Sequence, residues 1–259
     1  VSYTQSLQLT DELEFQFEED TDNDVIDTFL TLDNNDQFAS YVIEFGPPAI
    51  STLSDSKLND FIGKQLELIN QVYTIVDATL IDDTIKLTLI KDGIFGSIGE
   101  GEAKTFTYNN VDYEVQNLII RDGSVQFKVN GEVTDELSSG QIWTLESGAK
   151  IGVSNVNEDN EPQYVNFYLG NEVITLKDSL SEGYGTLSIN GNVMREVQPD
   201  ILGKERNGEI LFLYEISFNY TADDDYWIAP GERLSDNLEN PEILLGWDII
   251  FDEFIGEEG

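Results

Sequence analysis

The residues best suited to chemistry are aspartates in two short acidic loops. In the first loop Asp20, Asp22 and Asp24 stand at alternate positions, which is how calcium-binding loops present carboxylates to one ion. An EF-hand loop that began at Asp20 would need glycine and glutamate at the positions that Val25 and Thr31 occupy. The mismatch favours a hairpin tip whose carboxylates face solvent, and the loop stays a candidate for a divalent ion.

The second acidic loop is the run Asp223-Asp224-Asp225. The same two interpretations apply to it, a solvated acidic turn or a place for a divalent cation. Calcium is the one cofactor that the sequence suggests. The candidate calcium ligands are the aspartates in and beside the two loops: Asp20, Asp22, Asp24, Asp27, Asp223, Asp224 and Asp225.

The charge balance of the chain is extreme. The 51 Asp and Glu residues outnumber the 13 Lys and Arg residues, so the formal net charge is −38 over 259 residues. Nucleic acid is excluded as an expected partner because phosphate binding needs a basic surface. Charges of one sign at this density repel each other and destabilise the compact state unless salt screens them or divalent cations bridge them. We therefore expect a medium that supplies one or both.

The absence of histidine and cysteine removes several kinds of catalysis. The chain has no His and no Cys, which excludes a Ser-His-Asp triad, a thiolate nucleophile and the usual zinc ligands. A pair of carboxylates would suffice for glycoside hydrolysis. With 51 acidic residues, however, some pair satisfies any spacing test. The sequence therefore gives that reaction no specific support, and we expect a protein that is not an enzyme.

Two further features concern carbohydrate. Asn219 begins the tripeptide Asn-Tyr-Thr, an N-glycosylation signal that a secreted chain could use. Trp143, Trp227 and Trp247 could stack on sugars, together with the tyrosines. Aromatic residues are also common in strands, so packing in the core is the stronger expectation for them.

The elements that must position these residues read as short strands. Val125, Phe127 and Val129 alternate with polar residues, and Asn130-Gly131 suits a tight hairpin turn because both residues tolerate positive φ. Ser139-Gly140 and Ser147-Gly148 mark further corners, so the segment 122–156 is predicted to be a β-meander. A meander that is apolar on one face needs a partner sheet.

The rest of the chain follows the same pattern. Turns are predicted at Asp82-Asp83 and Asn109-Asn110, and Gly46-Pro47-Pro48 is predicted to end a strand because proline locks φ and lacks an N–H donor. Helical periodicity is absent except for one short turn in the region 235–245. No window is long and apolar enough to cross a membrane, so no membrane insertion is expected. The predicted fold class is all-β.

Several stretches resemble the archaeal surface-layer (S-layer) protein family, in the family's order. They are LNDFIGKQLELINQVYTIVDATL from Leu58, KTFTYNNVDYEV from Lys104, FKVNGEVTDEL from Phe127, LESGAKIGVSNV from Leu145, YWIAPGERLSDNL from Tyr226, and LLGWDIIF from Leu244. The specificity lies in the series, since none of these stretches is a catalytic signature. The sequence shows neither a signal peptide nor a membrane anchor, so we expect either an excised ectodomain fragment or a stand-alone relative with another task.

The resemblance implies a secreted, commonly glycosylated structural protein that tiles the cell exterior as a lattice, often with calcium. The expected partners are other copies or neighbouring domains of the same surface protein. The expected architecture is two β-sandwich or barrel-like domains, with a central domain over 58–180 inserted into a discontinuous domain made of 1–57 and 181–259. The alternative functions are an extracellular adhesin or carbohydrate-binding module and, third, a glycan-cleaving enzyme.

Overall fold

The computed structural model describes residues 2–20, 25–159, 162–180 and 185–252, with the backbone alone over 18–20 and 25–27. It is nearly all β, with 66% of residues in strands and 3% in helix. The all-β prediction is therefore confirmed. Among the described residues, no helix has the length and the apolar character that crossing a membrane requires.

The strands are numbered in chain order. The first eleven are β1 (Tyr3–Leu9), β2 (Glu14–Asp20), β3 (Val25–Leu32), β4 (Gln37–Ser54), β5 (Lys57–Leu58), β6 (Gln65–Leu68), β7 (Gln71–Ile81), β8 (Thr84–Lys91), β9 (Ile94–Gly99), β10 (Ala103–Tyr108) and β11 (Val111–Arg121). The others are β12 (Ser124–Val129), β13 (Glu132–Ser138), β14 (Ile142–Thr144), β15 (Lys150–Asn157), β16 (Tyr164–Gly170), β17 (Val173–Ser179), β18 (Thr186–Ile189), β19 (Asn192–Met194), β20 (Val197–Arg206), β21 (Ile210–Thr221) and β22 (Tyr226–Ile228). Helix α1 (Leu234–Asn237) and a 3-10 turn (Pro241–Leu244) follow. They lie where the sequence predicted a short helical turn, in the region 235–245.

The main sheet contains eleven strands in the order β19–β18–β17–β8–β7–β5–β4–β21–β20, with β1 beside β4 and β6 beside β7. It curls until β20 lies against β17 and β18. There the Asp178 carboxylate of β17 accepts the Ile201 N–H of β20 at 2.6 Å. The curl encloses a core to which the segment with α1 and the 3-10 turn adds Leu234, Ile243 and Leu244.

A β-sandwich is formed by two four-stranded sheets, β10–β11–β12–β13 and β14–β15–β16–β9. Their facing side chains form a second hydrophobic core. Phe167 lies near its middle, with its ring 5.1 Å from that of Phe106 and 5.5 Å from that of Phe127. The two sheets thus bury each other's apolar faces, as antiparallel sandwiches do.

Two β-bulges join the sandwich to the main sheet. Val76 is the extra residue of a bulge in β7, and Ser154 is the extra residue of a bulge in β15. The Ser154 hydroxyl donates a hydrogen bond to the Val76 carbonyl. Beside this contact Asp77, only 2% exposed, pairs with Lys57 at 2.6 Å. A bulge bends its strand and leaves one residue without a cross-strand partner. The two sheets contact each other at these two unpaired residues, Val76 and Ser154.

Tyr168 fills the space next to these bulges. It is completely buried and packs with Val76, Ile90 and Val173 of the main sheet. On its own sheet it pairs with Gly152, and its ring covers that glycine so closely that a Cβ there would lie 2.2 Å from Tyr168 Cζ. We call Val76, Asp77, Ser154 and Tyr168, with Lys57, the joint.

The predicted hairpin turns are confirmed. Asn130 and Gly131 have φ angles of 48° and 96°, and the flanking Val129 and Glu132 pair directly. The turns at Asp82-Asp83 and Asn109-Asn110 also have positive φ at both residues. In each case a two-residue turn reverses the strand with the handedness that the sheet twist favours.

Two predictions of strand continuity are wrong. The segment 122–156 is not one meander, because the chain crosses at Ser139-Gly140 from the sheet of β13 to the facing sheet of β14 and β15. The crossing lets the two halves of the segment bury each other's apolar faces. The strand at Gly46-Pro47-Pro48 does not end but continues as β4. Its pairing with β21 is interrupted between Glu44 and Ala49, where a residue without an N–H group is tolerated.

The predicted domain limits stay a prediction. Sheet membership differs from them in one respect: β7, β8 and β17, which lie inside the range 58–180, belong to the main sheet together with β4, β20 and β21. The sandwich core runs from Ile98 to Leu169.

Candidate functional site

A fourth, small sheet positions the acidic loops. Its strand order is β2–β3–β22. The turn 33–36 follows β3, and the loop 223–225 precedes β22. Tyr226 of β22 pairs with Leu32 of β3, so the turn and the loop emerge side by side at one end of the sheet.

Backbone hydrogen bonds fasten the turn to the loop. The Asn35 N–H donates to the Ala222 carbonyl at 2.8 Å, and the Ala222 N–H donates to the Asp36 carbonyl at 2.9 Å. The Asp225 carboxylate then accepts the N–H of Asn34 at 2.8 Å. Asp225 therefore satisfies the backbone of the neighbouring turn, a common task for aspartate in loops.

The other two carboxylates of this loop also have donors within the protein. Asp223 accepts the hydroxyl of Tyr226. Burial, with this hydrogen bond and the nearby acids, raises the pKa of Tyr226 far above its usual value. Asp224 accepts the N–H of Asp225 at 2.9 Å. The three predicted calcium ligands of this loop, Asp223, Asp224 and Asp225, thus stabilise the loop itself. Only the oxygen lone pairs that these hydrogen bonds leave free can bind a cation.

An acidic pocket that sequence reasoning missed lies at this end of the small sheet. Its volume is about 210 Å³. Its lining residues are Glu12, Glu14, Gln16, Thr31, Asp33 and Asp36. The segment 33–36 reads Asp-Asn-Asn-Asp, and its two aspartates lack the alternate spacing that drew attention to the loop at 20–24. Its approach to Glu12 and Glu14 follows from the pairing of β2 with β3.

The acids of this region do not converge on one point. Within the residues that the structure describes, no group of three or more acidic side chains is placed to hold a metal ion. The acidic pocket and the loop 223–225 instead make a negatively charged surface, which raises the local concentration of cations.

The first acidic loop is only partly described. Asp22 and Asp24 lie outside the described residues. Asp20 ends β2 and Asp27 lies near the start of β3, where Asp20 pairs with Val25 and Glu18 with Asp27 through the backbone. The loop is therefore flanked by an antiparallel pair of strands, and its binding of calcium stays a prediction.

Asn219 lies on a strand of the main sheet that has neighbouring strands on both sides. In β21 it pairs with Ser40 of β4 on one side and Gln198 of β20 on the other. Its side chain is half-buried, and its Oδ1 accepts the Ser40 hydroxyl at 3.4 Å. Its glycosylation stays a prediction.

The three tryptophans lie in different parts of the fold. Trp247 packs in the main core with its ring 5.1 Å from that of Tyr220. Trp143 is half-buried in the sandwich and donates its indole N–H to Glu132 at 3.1 Å. Trp227 is 39% exposed on the small sheet, 5.7 Å from the ring of Phe29. Of the three tryptophans, only Trp227, beside Phe29, therefore offers an aromatic surface to solvent.

A row of carboxylates crosses the main sheet. Glu44 and Glu215 pair directly across β4 and β21. Burial, then Asp200 and Glu44, raises the pKa of Glu215. Asp178 lies at the other end of the row, and burial raises its pKa. Hydrogen bonds from the Ile201 and Ser179 N–H groups oppose this rise in part, and the nearby Asp200 adds to it. The row stores electrostatic repulsion that protons or cations relieve.

Comparison with known proteins gave no match: neither a family model, nor a curated protein, nor a solved structure is significantly similar to the chain. The resemblance to surface-layer proteins stays a prediction.

Proposed function

We propose that the chain is a structural module of a cell surface, which contributes to an extracellular protein lattice through contacts with other copies or neighbouring domains. The observation that carries the proposal is the joint. A module of a lattice has to keep its parts in fixed relative positions, because each neighbour is placed by the one before it.

The joint meets that requirement with buried and directional contacts. The Ser154 hydroxyl is bonded to a backbone carbonyl of the other sheet, and Tyr168 is wholly enclosed by residues of both sheets. Asp77 is 2% exposed and ion-paired with Lys57 of the same sheet, and this pair holds the bulged part of β7 in place. Buried polar contacts of this kind favour one arrangement over others because misplacement would leave them unpaired.

The charge supports an extracellular, cation-rich setting. Copies that each carry a net charge of −38 repel one another, so close packing requires screening or bridging. The acidic pocket and the loop 223–225 place carboxylates on the surface where a divalent cation could bridge two copies. Calcium is the cation that such oxygen ligands take in these surroundings.

Sedimentation of the purified chain tests the proposal. We expect millimolar calcium to convert the chain into large assemblies, with sodium chloride at equal ionic strength as the control. A chelator should reverse the assembly. A chain that stays monomeric at high concentration in both salts would contradict a lattice function.

The second candidate is a carbohydrate-binding module, and the exposed Trp227, which lies beside the half-buried Phe29, favours it. Aromatic faces stack on sugar rings, and the acids at 223–225 precede Trp227 closely in the chain. A glycan array would separate the two functions. Binding that Trp227→Ala abolishes, without loss of thermal stability, would favour this candidate.

A further inference from the structure

A cavity of about 500 Å³ opens into the main sheet at the place where strand pairing is interrupted. β4 loses its pairing with β21 between Glu44 and Ala49. On its other side, pairing with β1 stops at Phe45 and pairing with β5 starts only at Leu53. The turn 59–64 and β6 stand across this gap and form the opposite wall.

The cavity reaches the main hydrophobic core. Its floor contains Leu87, Leu213 and Ile216, which are at most 3% exposed. Its walls include Phe61 and Ile75, both nearly buried. Pockets that hold small molecules have volumes of about 300–1,000 Å³ and mainly apolar linings, so the size and the lining both suit a ligand.

Hydrogen bonds hold the wall in place. The Gly63 N–H donates to the Ile75 carbonyl at 2.7 Å, and the Ile75 N–H donates to the Lys64 carbonyl at 2.8 Å. At the start of β1, the Tyr3 hydroxyl accepts the N–H of Glu67 at 3.0 Å. The cavity is therefore preformed by contacts that do not depend on a ligand.

The acid at the rim is already engaged. Asp60 Oδ2 accepts both the hydroxyl of Thr52 at 2.7 Å and the N–H of Thr52 at 2.8 Å. These two bonds lower the pKa of Asp60. Asp60 thus fixes the turn to β4, and the lining that remains is mainly apolar, with Lys64 and Gln65 among its polar members.

The charge of the protein selects against anionic ligands. A net charge of −38 repels an anion at the mouth of the cavity. Lys64 is the one cation among the lining residues, and its charge is countered by Asp60, whose pKa it helps to lower. We propose that the cavity is a binding site for a small uncharged apolar molecule, an aliphatic or aromatic compound. The proposal is independent of the lattice function, since the cavity belongs to a single chain.

Titration with the uncharged dye Nile red tests the site. We expect one dye per chain, displaced by octanol and at least tenfold less well by octanoate at low salt. Ala49 lines the cavity, so Ala49→Phe should weaken dye binding at least tenfold. Ala103→Phe makes the same change at an exposed position on β10 and should leave binding unchanged.

A second variant covers the case in which Ala49→Phe fails to fold. Ile50 lines the cavity but is 53% exposed, so Ile50→Gln should fold normally and weaken dye binding severalfold. Circular dichroism identifies the folded variants. The proposal is overturned if folded Ala49→Phe binds the dye as the unaltered chain does. If Ala49→Phe does not fold, the same result with Ile50→Gln overturns it. Octanoate that competes as well as octanol at low salt would also overturn it.

Discussion

Replacement of Gly152 by alanine tests the joint at its tightest contact. A Cβ at this position would lie 2.2 Å from Tyr168 Cζ and 2.4 Å from the hydroxyl oxygen. Both are far below van der Waals contact. Tyr168 is completely buried against Val76, Ile90 and Val173, so its ring cannot move aside without displacing the main sheet.

The expected cost is that of an overpacked core, about 1–3 kcal/mol. For a chain of this size, about 1 kcal/mol lowers the melting temperature by roughly 2–4 °C. We therefore expect Gly152→Ala to melt about 2–12 °C lower than the unaltered chain in scanning calorimetry, with a matching loss of stability in urea denaturation.

Gly99→Ala is the matched control because Gly99 lies in β9 of the same sheet. A Cβ there would meet its nearest atoms at 3.5 Å and 3.7 Å, which is ordinary contact. Its melting temperature should change little or rise, since alanine costs less conformational entropy than glycine. Equal stability of the two variants would refute the packing that we assign to Tyr168. In the double variant with Tyr168→Ala, the cost of Gly152→Ala should be smaller, because the obstacle is gone.

Three further predictions concern charge and burial. Calcium should raise the melting temperature at constant ionic strength, and neutralisation of the loop 223–225 should remove part of the gain; an equal effect of sodium would show that the loop is only a solvated surface. Because the folded chain raises the pKa of Asp178, this carboxyl favours folding most below its ordinary pKa of about 4, and its contribution falls as the pH rises through the folded value. Urea denaturation from pH 4 to 7 should therefore show a smaller decline for Asp178→Asn, and an unchanged slope would contradict this role. The Tyr168 hydroxyl is buried without a hydrogen-bond partner among the described residues, so Tyr168→Phe should keep or raise stability in urea, and a loss above about 1 kcal/mol would contradict it.

Short-range features of the fold could be predicted from the sequence. The turn at Asn130-Gly131 depends on the φ preferences of two adjacent residues, and the alternation in β12 depends on one strand with one buried face. Both are local, so the residues themselves decide them.

Sheet membership could not be predicted in the same way. β4 pairs with β21, which lies more than 150 positions later in the chain, and no local pattern specifies that partner. The crossing at Ser139-Gly140 is a similar case, because a corner between strands looks alike whether the next strand stays in the sheet or joins the facing one.

The candidate sites show the same difference between local features and contacts between distant parts of the chain. The acidic composition of the loop 223–225 was visible in the sequence, but its contact with Asn34 depends on the pairing of β22 with β3. The joint gave no signal at all in the sequence. Val76 and Ser154 are ordinary strand residues, and their meeting depends on two bulges in different sheets.

Cryo-electron tomography of the source cells, with an antibody against this chain, tests the central claim most directly. We expect label on the outer surface of the cell at a constant spacing, in register with a two-dimensional array. Label inside the cell, or label scattered over the surface without a regular spacing, would contradict a structural lattice function.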